Sequence, residues 1–145
     1  MSSYVIGDIH GCVDELRYLV DDLPVHANDE IIFLGDYIDR GPDSSGVVGF
    51  LIALKEQWRE NKLVFLKGNH EDMLLSYLQL NGQHGTMFML NGGKTTVQSY
   101  GLSPEQATPI RLNNAMPPDH LAFYQALEAT TSASPTYAST PAFIH

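Results

Sequence analysis

Ile31-Ile32-Phe33-Leu34 runs directly into Gly35-Asp36-Tyr37-Ile38-Asp39-Arg40-Gly41, so a short apolar stretch ends in a glycine-flanked cluster of charged residues. A short apolar run bounded by turn residues is typical of a strand buried on both faces of a parallel sheet. The same arrangement occurs twice more, with Tyr4-Val5-Ile6 before Gly7-Asp8-Ile9-His10-Gly11 and Leu63-Val64-Phe65-Leu66 shortly before Gly68-Asn69-His70-Glu71. The chain therefore contains three predicted strands, and each leads into polar side chains that suit metal or phosphate.

A helical pattern follows each of these runs. The predicted helices extend from Val13 to Leu23, from the turn Pro42-Asp43-Ser44-Ser45 to about Asn61, and from His70 to about Leu80. Pro24 ends the first helix, and the polar turn offers an N-cap to the second. Strands and helices that alternate at a spacing of about thirty residues form right-handed βαβ units. The sequence thus predicts an α/β fold with a parallel-type sheet and covering helices.

The second half of the chain has a looser pattern. Residues 81–118 are predicted to be a loop-rich insertion, with a helical turn or two over Thr95 to Tyr100. A further helix begins at Pro117-Pro118-Asp119, and Ala142-Phe143-Ile144 looks like a strand at the end of a Ser-, Thr- and Pro-rich tail. We treat 1–145 as the N-terminal part of one domain, with a βαβαβα core at 1–80 and a helix plus tail at 119–145.

Composition limits the classes of partner. The 145 residues carry a net charge of −9 and contain no Lys/Arg cluster, which argues against a duplex nucleic acid or an anionic membrane surface as partner. A phosphorylated substrate stays compatible, because bound metal ions would reverse the local charge. Cys12 is the only cysteine, so an intrachain disulfide is excluded and a reducing compartment is compatible. With no signal peptide or membrane span visible in the sequence, a cytoplasmic location is expected.

The polar residues after the three strands are expected to meet. Ligand sites lie at the carboxyl ends of the strands in open parallel sheets. The side chains expected to converge there are those of Asp8, His10, Asp36, Asp39, Arg40, Asn69 and His70. Carboxylates, an imidazole and an amide oxygen suit divalent first-row metal ions, and an arginine beside them suits a phosphate group. The pattern indicates a two-metal phosphoesterase.

Each signal also has a plain structural explanation when it is taken alone. Asp-x-His is a weak pattern, and Asn69 has an alternative role as the N-cap of the helix that His70 opens. Three such clusters in βαβ spacing nevertheless favour a common site over chance. His26, His84 and His120 have no partner residues in the sequence and are predicted to be surface histidines.

The three glycine-flanked clusters resemble the signature motifs of the calcineurin-like metallophosphoesterases. The ending Asp39-Arg40-Gly41 is similar to the phosphoprotein-phosphatase branch, which holds serine/threonine phosphatases and symmetrical bis(5′-nucleosyl)-tetraphosphatases. The later run Leu90-Asn91-Gly92-Gly93-Lys94-Thr95-Thr96, with Ser99-Tyr100-Gly101, resembles bacterial and phage members of the protein-phosphatase type. The resemblance extends over essentially the whole chain to Leu127.

The resemblance implies a dinuclear metal centre. Asp8 and His10 would hold the first ion, Asp36 would bridge both ions, and Asn69 would bind the second ion through its amide oxygen. Mn²⁺ is the ion expected for a bacterial or phage member, with Fe and Zn as the other ions found in the family.

The resemblance also implies roles in catalysis. Arg40 would bind the phosphate oxygens, with Asn69 and His70 beside it at the substrate. His70 would protonate the leaving oxygen and Asp39 would orient His70, while a hydroxide shared by the metal ions would attack phosphorus in line.

The sequence departs from the family pattern at its C-terminal end. Phe143-Ile144-His145 resembles the strand that supplies a further metal-binding histidine, which makes His145 an expected ligand. The family's second sheet and a later Gly-His-Thr run are absent from this sequence. We therefore expect the first half of an α/β/β/α sandwich, truncated at the C-terminus, with a weaker second metal site. The apolar face left by the missing half would favour self-association.

The expected function is hydrolysis of phosphoserine or phosphothreonine in a phosphoprotein. Two alternatives remain open at this point. One is hydrolysis of a phosphorylated small molecule such as a bis(5′-nucleosyl) tetraphosphate, and the other is a catalytically impaired fragment that only binds metal and phosphate.

Overall fold

The structure is a computed structural model that describes residues 1–79, 87–129 and the backbone of 140–142. Its strands are β1 (Ser3–Ile6), β2 (Glu30–Phe33), β3 (Lys62–Phe65) and β4 (Thr140–Ala142). They lie in the order β3-β2-β1-β4, and every neighbouring pair is parallel. The parallel α/β architecture predicted from the sequence is therefore confirmed. The last strand begins at Thr140, inside the predicted tail, and Phe143 and Ile144 lie outside the described residues.

Three helices follow the first three strands, namely α1 (Val13–Asp22), α2 (Ser44–Gln57) and α3 (Asn69–Tyr77). The predicted N-cap of α2 is confirmed, since Asp43 Oδ1 accepts a hydrogen bond from Gly46 N–H at 2.8 Å. The prediction that α2 reaches Asn61 is wrong. The Asn61 amide donates to the carbonyls of His26 at 2.8 Å and Asp29 at 3.1 Å, which fixes the turn into β3.

The segment predicted to be mainly loop contains more helix than expected. In its described part, α4 (Gly93–Ser99) and α5 (Pro109–Ala115) are joined by short 3₁₀ turns at Met89–Asn91 and Pro104–Gln106. The start signal of α5 was overlooked: Thr108 caps the helix by accepting from Arg111 N–H at 3.1 Å, and Pro109 occupies the first helical position. The last helix, α6 (Pro118–Gln125), begins where the proline pair predicted it.

The helices pack on one face of the sheet. Ile6, Ile31, Phe33 and Phe65 belong to the same buried cluster as apolar residues of α1, α2 and α3, and the rings of Phe33 and Phe65 stack at 4.9 Å. Among the described residues, no helix is both long and apolar enough to cross a membrane.

The strand register places Val5, Ile32 and Val64 on the opposite face. Leu34, which continues β2 on that face, is 38% exposed, whereas Ile32 at its centre is only 2% exposed. On this face, therefore, Leu34 is exposed and Ile32 is buried, and the expected exposed apolar face stays a prediction.

Candidate functional site

The loops after β1 and β2 are bonded together. Ile9 N–H and His10 N–H donate to the Asp36 carbonyl at 3.1 and 2.9 Å, and Gly11 N–H donates to the Tyr37 carbonyl at 2.8 Å. As a result, ligand atoms of Asp8, His10 and Asp36 lie within 4.8 Å of one another. The structure thus brings together three of the predicted metal ligands, and their function as ligands stays a prediction.

The orientation of His10 suits a metal ligand. Its Nδ1 lies 2.9 Å from the Ile38 carbonyl oxygen, which only accepts hydrogen bonds. Nδ1 therefore carries the proton, and Nε2 keeps the lone pair that a metal ion requires. Two carboxylates and one imidazole of fixed tautomer match the donors used for Mn²⁺, Fe²⁺ and Zn²⁺.

His70 lies beside this group and is paired with Asp39. His70 Nδ1 is 2.7 Å from Asp39 Oδ2, and the two residues are 6% and 0% exposed. The hydrogen bond to Asp39 raises the pKa of His70, although burial opposes this shift. The rings of His70 and His10 meet edge to face at 4.7 Å. The ring of His70 is therefore held among buried groups.

Asn69 and Arg40 are both exposed at this edge of the sheet. Asn69 is the first residue of α3, and Gly68 is the N-cap, so the alternative role of Asn69 as N-cap is wrong. The next residue, His70, donates its N–H to Asp36 Oδ1 at 3.1 Å, which places Asn69 next to the bridging candidate in the chain. The hydrogen bond to Asp39 is the largest cause of the raised pKa of His70, and the Arg40 charge is the smallest of the effects that oppose the rise.

The remaining histidines fall into three groups. His26 is exposed, as predicted, while His84 and His145 lie outside the described residues. His120 is only 8% exposed, so the prediction of a surface histidine is wrong for it. Its Nδ1 lies 2.8 Å from the hydroxyl of Tyr100, which follows the C-terminal end of α4. No local sequence pattern indicates this contact.

Glu71 is a site residue that the sequence analysis missed. It is 0% exposed, and its Oε1 accepts from Asp36 N–H at 2.6 Å and Gly68 N–H at 2.9 Å, while Oε2 accepts from Tyr37 N–H at 2.9 Å. Burial, followed by the nearby Asp36 charge, raises the pKa of Glu71 to about 7, and the backbone donors oppose this shift. A glutamate three residues after a helix N-cap is a known capping signal, and here it also joins two motif loops.

Glu71→Gln is expected to lower the free energy of unfolding by about 1–3 kcal/mol, because the amide NH₂ would face a buried backbone N–H that now donates to a carboxylate oxygen. Urea denaturation of the metal-free chain measures the change. Glu56→Gln is the matched control, since the Glu56 side chain is 78% exposed and is expected to shift stability by less than about 0.5 kcal/mol. Equal stability of the two variants would contradict the role assigned to Glu71.

The backbone at the site is strained. His10, Asp36, Asp39 and Arg40 adopt φ values of +44°, +54°, +74° and +70°, in the left-handed region that side chains disfavour. Such conformations persist where surrounding contacts hold them, and they cluster at functional sites. In the described part of the chain, four of the six non-glycine residues with positive φ are therefore residues predicted to bind metal or phosphate or to orient His70.

Gly35→Ala is expected to separate two motif loops. Gly35 has φ +107°, and a Cβ there would collide with the backbone nitrogen of Gly68. Gly101→Ala is the matched control, because Gly101 has φ +86° with nothing within 4 Å of a Cβ. The control should lose about 1–2 kcal/mol from the left-handed backbone alone, and Gly35→Ala should lose more. Thermal unfolding compares the two, and an equal loss would contradict the close packing of these loops.

Comparison with known proteins places this chain in a family. The family model described as calcineurin-like phosphoesterase matches residues 1–131. A bis(5′-nucleosyl)-tetraphosphatase PrpE [asymmetrical] of Anoxybacillus flavithermus is 37% identical over an alignment of 118 residues that covers 74% of this chain and 45% of that protein. A symmetrical bis(5′-nucleosyl)-tetraphosphatase of Wigglesworthia glossinidia brevipalpis is 43% identical over 82 residues, covering 55% of this chain and 28% of that protein.

A third relative has a different name. Serine/threonine-protein phosphatase 1 of Salmonella typhimurium is 36% identical over 91 residues, which are 62% of this chain and 38% of that protein. These names match the phosphoprotein-phosphatase branch that the motifs resemble. The chain spans less than half the length of each of these three relatives.

Proposed function

Since the chain belongs to the calcineurin-like phosphoesterase family, we propose that it is a metal-dependent phosphoesterase. One observation carries the proposal: the ligand atoms of Asp8, His10 and Asp36 lie within 4.8 Å of one another, next to a buried Asp39–His70 pair. Metal-binding groups beside a paired histidine supply the two things that phosphate hydrolysis needs, namely charge neutralisation and proton transfer.

We propose two divalent ions, with Mn²⁺ as the expected metal. Asp8, His10 and Asp36 would hold the first ion, and Asp36 and Asn69 the second, with His145 as a further proposed ligand. When bound, the ions supply Lewis acidity that activates water and neutralises negative charge on the phosphate.

The side chains of the protein bind the phosphate and move the proton. Arg40 is exposed, and its planar guanidinium suits two phosphate oxygens at once. Asp39 Oδ2 lies 2.7 Å from His70 Nδ1, which supports a proton held at Nδ1, and we assign Nε2 to the substrate. The raised pKa of His70 favours the protonated ring, so Nε2–H donates its proton to the leaving oxygen.

Two substrate classes fit the proposal equally. The relatives include tetraphosphatases and a serine/threonine phosphatase, so both phosphoproteins and bis(5′-nucleosyl) tetraphosphates are proposed substrates.

The test incubates the Mn²⁺-loaded chain with a phosphothreonine peptide and with a bis(5′-nucleosyl) tetraphosphate. Release of phosphate from the peptide supports the first class. Two nucleoside diphosphates indicate symmetrical cleavage of the second, and a triphosphate plus a monophosphate indicate asymmetrical cleavage. Binding of metal and phosphate without turnover would support the impaired fragment instead.

Self-association and a cytoplasmic location also stay proposals. Leu34, 38% exposed on the sheet face opposite the helices, supports an apolar contact there. Sedimentation velocity over a range of concentrations is expected to show a larger species at high concentration, and a single monomeric species throughout would contradict this contact.

A further inference from the structure

The run from Leu90 to Thr96, to which the proposed function gives no role, packs against the turn that carries Asp39 and Arg40. The Gly92 carbonyl accepts from Arg40 N–H at 3.1 Å, and a Cβ on Gly92 would lie 2.6 Å from Arg40 Cγ. Gly92 also has φ +100°, so both its conformation and its close approach to Arg40 require glycine. Because α4 begins at the next residue, this contact docks the helix on the turn.

The hydroxyl of Thr96 on α4 contacts Asp39 twice. Thr96 Oγ1 donates to Asp39 Oδ1 at 2.6 Å and accepts from Asp39 N–H at 2.9 Å. Ser44 Oγ lies 2.9 Å from the same hydroxyl and accepts from Asp39 N–H at 3.0 Å. Thr96, Ser44 and Asp39 are all 0% exposed, so water does not compete for these hydrogen bonds.

The two oxygens of Asp39 therefore have partners on opposite sides. Oδ1 accepts from Thr96, and Oδ2 accepts from His70 Nδ1 at 2.7 Å. The terminal torsion of an aspartate has a broad energy well, so a single hydrogen bond leaves the carboxylate plane poorly defined. Partners on both oxygens fix that plane, and the plane in turn fixes the direction of the imidazole.

We propose that Thr96 is a positioning residue, which holds Asp39 so that His70 Nε2 keeps its direction toward the leaving oxygen. The proposal rests on the proposed function of His70, and Thr96 acts only through Asp39. Outer partners that orient metal-binding side chains contribute about 10–100-fold to affinity or activity, and we expect an effect of the same order for this proton donor.

The kinetic test compares Thr96→Val, which keeps the shape and removes the hydroxyl, with Thr96→Ser, which keeps the hydroxyl. With Mn²⁺ and an aryl phosphate, Thr96→Val should lower kcat about 10–100-fold and leave KM unchanged, while Thr96→Ser should stay near wild type. Thr108→Val is the matched control, because it removes a helix-capping hydroxyl on the exposed start of α5. It should lower stability and leave kcat unchanged.

A second readout needs neither metal nor turnover. A histidine Nδ1 proton bonded to a buried carboxylate gives a far-downfield proton NMR resonance, which His70→Asn identifies by its loss. In the metal-free chain this resonance should weaken or move upfield in Thr96→Val and persist in Thr96→Ser and Thr108→Val. If the wild-type chain with Mn²⁺ released no phosphate, the proposed function would fail, and the resonance would still test the placement of Asp39.

A folded Thr96→Val variant with wild-type kcat and an unchanged resonance would overturn the proposal. A loss of kcat in Thr108→Val as large as that in Thr96→Val would also overturn the proposal. If Thr96→Val does not fold, Thr96→Ala is measured in the same way with the same expected loss. If neither Thr96 variant folds, the proposal is also overturned, because the Thr96 hydroxyl would then be required for folding alone.

Discussion

His70→Asn is expected to lower the rate of phosphate release by about 10²–10⁴-fold, the usual contribution of a general acid. Asparagine has no ionisable proton to give to the leaving oxygen, and its amide does not reproduce the Nε2 position. The measurement is the single-turnover rate with an aryl phosphate in saturating Mn²⁺. His26→Asn is the matched control, because His26 is exposed and away from the proposed chemistry, and it should keep the wild-type rate. Wild-type activity in His70→Asn would contradict the role of His70.

The same substitution is expected to cost stability, which the sequence alone did not indicate. It replaces an imidazole that can carry a positive charge by a neutral amide, so the charge-assisted hydrogen bond to the fully buried Asp39 is lost, at a cost of about 1–3 kcal/mol. Because Asp39 raises the pKa of His70, the stabilisation is fully present below pH about 6.5 and is lost as pH rises through the folded-state pKa. The stability gap between wild type and His70→Asn should therefore be larger at acidic than at alkaline pH. A gap that grows with rising pH would contradict this pairing.

Asp36→Asn is expected to weaken Mn²⁺ binding strongly, because Asp36 is the carboxylate assigned to both ions. Loss of a residue that only orients a ligand weakens binding about 10–100-fold, and the loss of Asp36 should exceed that. Its location supports this, because within the Asp8, His10 and Asp36 group it is Asp36 that bonds to α3. Asp36 N–H donates to Glu71 Oε1 at 2.6 Å, and Asp36 Oδ1 accepts from His70 N–H at 3.1 Å. Isothermal titration with Mn²⁺ measures the change. Asp21→Asn on the exposed side of α1 is the matched control and should bind as wild type does. Unchanged affinity in Asp36→Asn would exclude Asp36 as the bridge.

The sequence predicted the parts of this site that depend on local pattern. Each strand is a short apolar run, each polar cluster follows it directly, and parallel topology then requires the clusters to meet at one edge. Asp8, His10 and Asp36 met as expected for this reason. The roles of these residues as ligands, and the catalytic roles, stay predictions for experiment.

What the sequence did not reveal depends on contacts between distant segments. Thr96 and Asp39 are separated by 57 positions, and no periodicity or motif spacing indicates that one hydroxyl bonds to one carboxylate. In the sequence, Glu71 is indicated only as a residue near the start of a helix. Its hydrogen bonds to Asp36 and Tyr37 depend on how α3 packs against the loop after β2. His120 likewise is buried through a partner from another element.

The measurement that tests the account most directly is Mn²⁺ occupancy and aryl-phosphate hydrolysis on the same sample of the wild-type chain. We expect hydrolysis to rise with bound Mn²⁺, to stop when a chelator removes the ion, and to fail in Asp36→Asn at Mn²⁺ concentrations that saturate wild type. A wild-type chain that binds no Mn²⁺, or that hydrolyses the substrate equally well after chelation, would contradict the proposal of a metal-dependent phosphoesterase.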